Sequence, residues 1–371
     1  MADEALPSNR GYVWAELEAT YGADPTLAVA DVMYVENWES NAKRLMVERD
    51  GQSHAPGGFP PVKVGQENTW SCDVEMATAT IVDANDQPVI EDWYTCCGFS
   101  KESWQTDLGD GNSAQRYTLA ISDAATNSSI AIEERFFDEL DADGVGFQYL
   151  GCRADWEIRI KANERWMLHM DGMAQTGTSI ATPNSTTATY DFDEPAVGCN
   201  TSIRLVEYLT DTVYEGQIIE ATIKGNTGLT AQHGMSGSAG GPAEIRHIRT
   251  KDIILDLLVE MVADGDWDPP TMMDSLTGQG TGMSCAILTT NGTDPNAHSL
   301  ALATSVSATS VLTGFGVSLL EVEPIAENEG RRVWRFTCVG RYPEVGTDEG
   351  GLAAALNFRI IYVNTAGATL T

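Results

Sequence analysis

Polar and apolar residues alternate along much of the chain with a period of two, the period of a strand that buries one face. In Thr69–Met76 the apolar positions are Trp70, Cys72, Val74 and Met76, all on one side. Arg116–Ile121 and Ser129–Phe136 are rich in strand formers. Trp156–Ile160 alternates, Asn163-Glu164 offers a tight turn, and Arg165–Met170 returns, which predicts an antiparallel hairpin. The second half repeats the style in Ile218–Lys224, Ser284–Thr289, Ser299–Thr304, Leu319–Pro324, Val333–Val339 and Phe358–Val363.

Helical spacing is scarce. Pro88–Gly98 predicts one short helix: Pro88 suits a first turn, Val89, Trp93 and Cys97 share a face, and Gly98 ends it. His247–Ala263 predicts a second. Thr250 can cap it, Asp252 favours the positive end of its dipole, and Ile253, Leu257 and Met261 recur at helical spacing before Asp264-Gly265. The expected fold is mainly β, two tandem β-sandwich or barrel domains with one short α-helix each.

The order of features suggests an internal duplication. Thr69–Met76, the helix Val89–Cys97, Arg116–Ile121, Ser129–Phe136 and the hairpin Gly151–Asp171 come in that order. Ile218–Lys224, Ile253–Ala263, Met283–Thr289, Ser299–Thr304 and the hairpin Gly314–Gly340 answer them, and Asn357–Tyr362 answers Thr201–Val206. The expected domains are 1–203 and 204–371.

Composition narrows the class. The chain has 371 residues, 42% apolar and 20% charged, as in globular proteins and unlike disordered or fibrous ones. No run of ~18 apolar residues predicts a membrane span. The opening Met1–Pro7 has neither the basic nor the apolar region of an export signal. Fifty-four acids against 22 bases leave a net charge of −32, split as −22 up to residue 203 and −10 beyond. Charge-driven binding to nucleic acid or to an anionic membrane is therefore not expected. Only 6 of the bases are Lys. Many acids with few Lys suit a protein kept soluble in high salt, where screening relieves self-repulsion. Seven cysteines (Cys72, Cys96, Cys97, Cys152, Cys199, Cys285, Cys338) are odd in number and irregular in spacing, so most read as small core residues rather than a disulfide framework. The four Asn-x-Ser/Thr sequons at Asn127, Asn184, Asn200 and Asn291 read as incidental.

No chemistry-bearing motif stands out. There is no phosphate loop and no dinucleotide fingerprint. His54, His169, His233, His247 and His298 form no metal-ligand pattern. The run 234–241 is similar to a nucleophile elbow but fails its spacing. Glu139–Gly144 starts like a calcium loop, yet Leu150 stands where the bidentate Glu is required. No catalytic, cofactor-binding or metal-binding residue is assigned. Trp38, Trp104 and Trp267 are the residues that a glycan-binding surface would present.

Leu17–Leu27, leading into Ala30–Val35, resembles the opening of tail tube proteins (major tail proteins) of long-tailed bacterial and archaeal viruses. The resemblance continues through a Gly- and Pro-rich loop, Asp50–Lys63, and the strand Thr69–Met76. It extends to Cys96-Cys97-Gly98-Phe99 and to a Gly-x-Arg hairpin from Gly151-Cys152-Arg153 to Gly172, and so covers roughly residues 17–172. The second half matches only through the internal repeat. The family has six-subunit rings of single-domain members, so two fused copies imply three subunits in a pseudo-hexameric ring. The resemblance thus implies a non-enzymatic virion protein, assembled in the host cytoplasm, whose stacked rings form a conduit for DNA. DNA would pass the acidic lumen without specific binding, and other tail proteins would meet the tube ends. A glycan-binding or tail-tip module and a halophilic β-sandwich hydrolase are the alternatives.

Overall fold

The structure is a computed structural model that describes residues 11–25, 32–49, 59–79, 86–103, 113–119, 129–136, 145–180, 194–207, 213–214, 217–225, 228–232, 244–247, 253–260, 282–290, 299–306, 311–328, 331–340, 358–364 and 369–370. In chain order the first strands are β1 Gly11–Leu17, β2 Val32–Met33, β3 Glu36–Arg49, β4 Phe59–Glu75 and β5 Ala77–Thr78. After helix α1 Glu91–Cys96 come β6 Phe99–Lys101, β7 Ala114–Leu119, β8 Ile130–Phe136, β9 Val145–Lys161, β10 Met167–Ala174, β11 Thr176–Ile180 and β12 Glu194–Pro195. A 3-10 turn, Gly198–Asn200, leads to β13 Thr201–Glu207, β14 Ile218–Gly225, β15 Leu229–Gln232, β16 Glu244–His247 and β17 Ile253–Glu260. The last strands are β18 Gly282–Thr290, β19 Ser299–Ala303, β20 Ser305–Val306, β21 Val311–Thr313, β22 Phe315–Asn328, β23 Arg331–Gly340, β24 Arg359–Val363 and β25 Thr369–Leu370.

The fold is mainly β with very little helix, as the alternation predicts. α1 forms inside Pro88–Gly98 and buries Trp93, Tyr94 and Cys96. The second expected helix, His247–Ala263, is corrected: His247 ends β16, and Ile253–Glu260 is β17. A spacing of four is also a multiple of two, so Ile253 and Leu257 fit either period. Burial follows the strand period, with Leu255, Leu257 and Val259 inside. β14 and β23 flank β17 on both sides and satisfy its backbone.

Among the described residues, eighteen strands form one continuous, folded sheet. Its spine is β3-β4-β10-β9-β14-β17-β23-β22, antiparallel at every step. β9 bends between two layers. Its first part pairs with β8 and β11, its last part with β10 and β14. The bend falls at Gly151, whose φ of +66° is open to glycine and costly for other residues, beside a bulge in the β8–β9 pairing.

One apolar cluster joins residues of both halves, among them Trp70, Trp156, Ile158, Ile223, Leu257 and Phe336. Residue 203 lies inside β13, which pairs with β18, and β24 pairs back to β7. Six cysteines are buried in this interior; Cys199 alone is exposed, and all seven are free thiols. Burial pushes the Cys72, Cys97 and Cys152 thiols far above their ordinary value. A maleimide is therefore expected to label one thiol in the native protein and seven after unfolding, as read by intact-mass spectrometry.

Candidate assembly surface

The eight-stranded spine has two unlike faces. Cys72, Leu168, Ile158, Ile223, Leu257 and Phe336 point into the core. On the other face, Asp73 stands opposite His169, His169 opposite Glu157, and Glu157 opposite Lys224. Asp256 faces Thr337, and Thr337 faces Glu321, on the same side. One wet face and one dry face is the common state of an antiparallel sheet.

Asp73 organises one end of the polar face. Its Oδ1 lies 2.7 Å from His169 Nδ1, and Asn37 Nδ2 donates to its Oδ2 at 2.6 Å. Burial works against ionisation of Asp73, but those hydrogen bonds and the charge of Arg159 prevail and hold its carboxyl below the usual range. Asn37 adopts φ +51°, a region asparagine tolerates, at a bulge in β3. Arg165 bridges Glu36, at 2.8 Å, and Glu75. Asp155 and Asp171 face each other across β9 and β10 and line a cleft with Glu39.

Both borders of the spine are open among the described residues. β3, 14 residues long, pairs with β4 alone. β22 pairs with β18 through Phe315–Ser318, and from Leu319 onward it has only β23. Unpaired borders are templates for another strand. Large apolar side chains sit exposed at both: Tyr34, 46% exposed, just before β3, and Leu320, 63% exposed, at a bulge in β22. Trp38 on β3 and Val322 on β22 pack on the core yet stay only half-buried.

A buried junction fixes the β9 bend from behind. The Glu18 carboxylate accepts hydrogen bonds from Gly22 N (2.7 Å), Ser129 Oγ (2.5 Å) and Gly151 N (2.7 Å). Ile245 N donates to the Tyr21 hydroxyl at 2.7 Å, and the Arg153 guanidinium lies 4.9 Å from the centre of the Tyr21 ring. Arg153 also donates to the Ile245 carbonyl. Residues of Leu17–Leu27 and Gly151–Arg153, remote in sequence, therefore meet in space.

His247 closes this junction. Burial lowers its pKa to about 4, the nearby Arg153 charge adds to the effect, and a hydrogen bond to the Cys96 backbone opposes it. An unfolded histidine titrates near 6.5. Between about pH 6.5 and 4 the unfolded chain takes up a proton that the native state refuses, so stability falls as pH falls. The loss is on the order of 3 kcal/mol once complete. His247→Gln is expected to remove this part of the acid slope, measured by urea unfolding from pH 7 to pH 4.

Other sequence candidates scatter. Trp38 stacks on Trp70 with ring centres 5.9 Å apart, so one face of its ring is taken and the side chain is half-buried. Trp104, Trp267, His54, His233, His298, the run 234–241 and Glu139–Gly144 lie outside the described residues. The expected loop Asp50–Lys63 is corrected in part: Phe59–Lys63 belongs to β4, and 50–58 lie outside the described residues. Pro60 and Pro61 are tolerated because this stretch of β4 has β3 as its only partner among the described residues, leaving one side without donors to satisfy. Sequence reasoning found one border strand, Leu319–Pro324 in β22, and missed the other: Glu36–Arg49 has apolar residues only at Trp38, Ala42, Leu45, Met46 and Val47, with no strand alternation to mark β3. No family model and no curated protein matches the chain.

Proposed function

We propose that the chain is a non-enzymatic tail tube subunit, three copies to a ring, whose stacked rings form the DNA conduit of a long viral tail. The observation that carries this reading is the open spine: eight antiparallel strands whose outer sides, along β3 and from Leu319 of β22, have no partner among the described residues. Open borders of this length are closed in nature by covering or by pairing, and cyclic pairing of identical chains makes a ring. Because eight is even, a border-to-border join is antiparallel, like every join inside the chain.

A repeated strand order supports a duplicated module. In the first half the pairing order is β3-β4-β10-β9-β8; in the second it is β14-β17-β23-β22-β18, with the same chain order in both. The counterpart of β4 is thus β17, the strand that sequence spacing predicts as a helix. Each module gives four strands to the spine, so three chains supply six modules. Eight strands from each of three copies give a barrel roughly 48 Å across at the backbone, at usual strand spacing and tilt. That leaves a lumen of roughly 30 Å after side chains. With the core on the outside, the polar face carrying Asp73, Asp155, Glu157, Asp171, Asp256 and Glu321 lines that lumen. Like charge keeps DNA mobile, since it gains nothing from counterion release.

The working place is the virion tail, after assembly in the host cytoplasm, with other tail proteins at the tube ends. Negative-stain electron microscopy of the purified protein, at high and low salt, tests the reading. Rings or tubes with a central hole are expected; a monomer at every salt and concentration overturns it.

A further inference from the structure

The chain already contains one joint between its two halves, and that joint supplies a template for a joint between chains. At β9–β14, Ile158 stands opposite Ile223, Glu157 opposite Lys224, and Arg159 opposite Thr222. The Lys224–Glu157 pair closes to 3.8 Å, and Ile158 and Ile223 are fully buried. β9 and β22 occupy the same place in the two pairing orders, as do β14 and β3. The open part of β22 therefore corresponds to the part of β9 that holds β14.

Equivalent positions follow from register. Ile158 pairs with Leu168 as Val322 pairs with Phe336, so Val322 stands for Ile158 and Glu321 for Glu157. Leu168 then pairs with Val74 as Phe336 pairs with Leu257, which makes Cys72 the counterpart of Leu255. Ile223 faces Leu255; in β3 Glu36 faces Asp73 and Glu39 faces Ser71, so the bulge sets Asn37 and Trp38 against Cys72, and of the two it is Trp38 that packs on the core. Trp38 thus stands for Ile223, and Glu39 for Lys224.

We infer that β22 of one copy joins β3 of the next in the β9–β14 register, setting Val322 against Trp38 and Glu321 against Glu39, so that ring closure is gated by salt. This rests on the tube-subunit reading. The two half-buried apolar side chains left at the borders would cover each other, as Ile158 and Ile223 do within the chain. The charged pair is the difference. Where the internal joint has lysine facing glutamate, the joint between copies has glutamate facing glutamate. Neither Glu39 nor Glu321 has an ion-pair partner among the described residues. Glu323, the counterpart of Arg159, meets the Glu36 region, where Arg165 supplies a cation 2.8 Å from Glu36. Like charges directly opposite on paired strands repel, and salt relieves that repulsion.

Two variants test the joint. In a Cys199→Ser background, Glu39→Cys with Glu321→Cys is expected to form an intermolecular disulfide at high salt, seen as a covalent trimer on non-reducing gels. Glu39→Lys restores the pattern of Lys224 and Glu157, and it is expected to form rings at low salt where the parent protein stays dispersed. Rings seen by electron microscopy with no disulfide from this pair overturn the joint and leave the tube reading standing. Rings whose salt requirement is unchanged by Glu39→Lys overturn the gating. A parent protein that forms no ring at any salt overturns the tube reading, and the joint with it.

Discussion

Glu18→Ala is expected to lower the unfolding free energy by about 4 kcal/mol, a large share of the 5–15 kcal/mol typical of a folded domain. The carboxylate holds three donors at once, two of them backbone N–H groups of Gly22 and Gly151. Alanine leaves those donors buried without an acceptor, which costs more than the bonds themselves contribute. Glu18 is 5% exposed, so water cannot replace the carboxylate cheaply. Gly151 sits at the bend that carries β9 from one layer to the other, so the damage reaches the spine. Glu18→Gln keeps one acceptor oxygen and is expected to lose about half as much. Urea unfolding at fixed high salt and low protein concentration reads both. A loss under about 1 kcal/mol for alanine would mean that the junction does not brace the bend.

Gly198→Ala is expected to cost about 3 kcal/mol. A Cβ at Gly198 would overlap the backbone carbonyl of Lys161 and press on Ala162, at the turn between β9 and β10. The clash is with backbone, so no side-chain rotation relieves it. The same segment is tied down all round. Gly198 N donates to Glu164 O at 2.8 Å, Trp166 N to Ala196 O at 2.8 Å, and Ala196 N to Met76 O at 2.9 Å. Gly340→Ala serves as the control: its Cβ would meet Ile253 at 3.3 Å, and the expected loss is much smaller. Equal losses at the two sites would show that the Gly198 segment yields after all.

Much of the β architecture was legible from alternation alone. Trp70, Cys72 and Val74 are buried as their spacing predicts, and the hairpin of β9 and β10 turns at Asn163-Glu164. The error at Ile253–Glu260 has a physical cause. Short apolar runs satisfy helix and strand periods together, and flanking strands decide between them. A helix assigned there also shaped the expected repeat, which set Ile218–Lys224 against Thr69–Met76. In the duplication proposed above, strand order sets β17 against Thr69–Met76 instead. The candidate surface was less legible. β22 alternates as a central strand does, because alternation reports which face is buried and is silent about which neighbour lies alongside, and β3 does not alternate at all.

The sequence by itself determined that this is a mainly β protein with a strongly acidic charge, because side-chain period and net charge are properties of the chain. It also determined core residues where the alternation is strict, as at Trp70, Cys72 and Val74, since burial there follows hydrophobic spacing. Only the tertiary structure decided that Glu18 clasps Gly151 across the fold and that β9 is the strand joining the two halves. It alone left β3 and the outer part of β22 with a partner on one side only among the described residues. Those outcomes depend on meetings between segments far apart in the chain: the strand pairings are made by backbone atoms, and the Glu18 carboxylate meets the backbone N–H of Gly151. Local pattern carries no record of them.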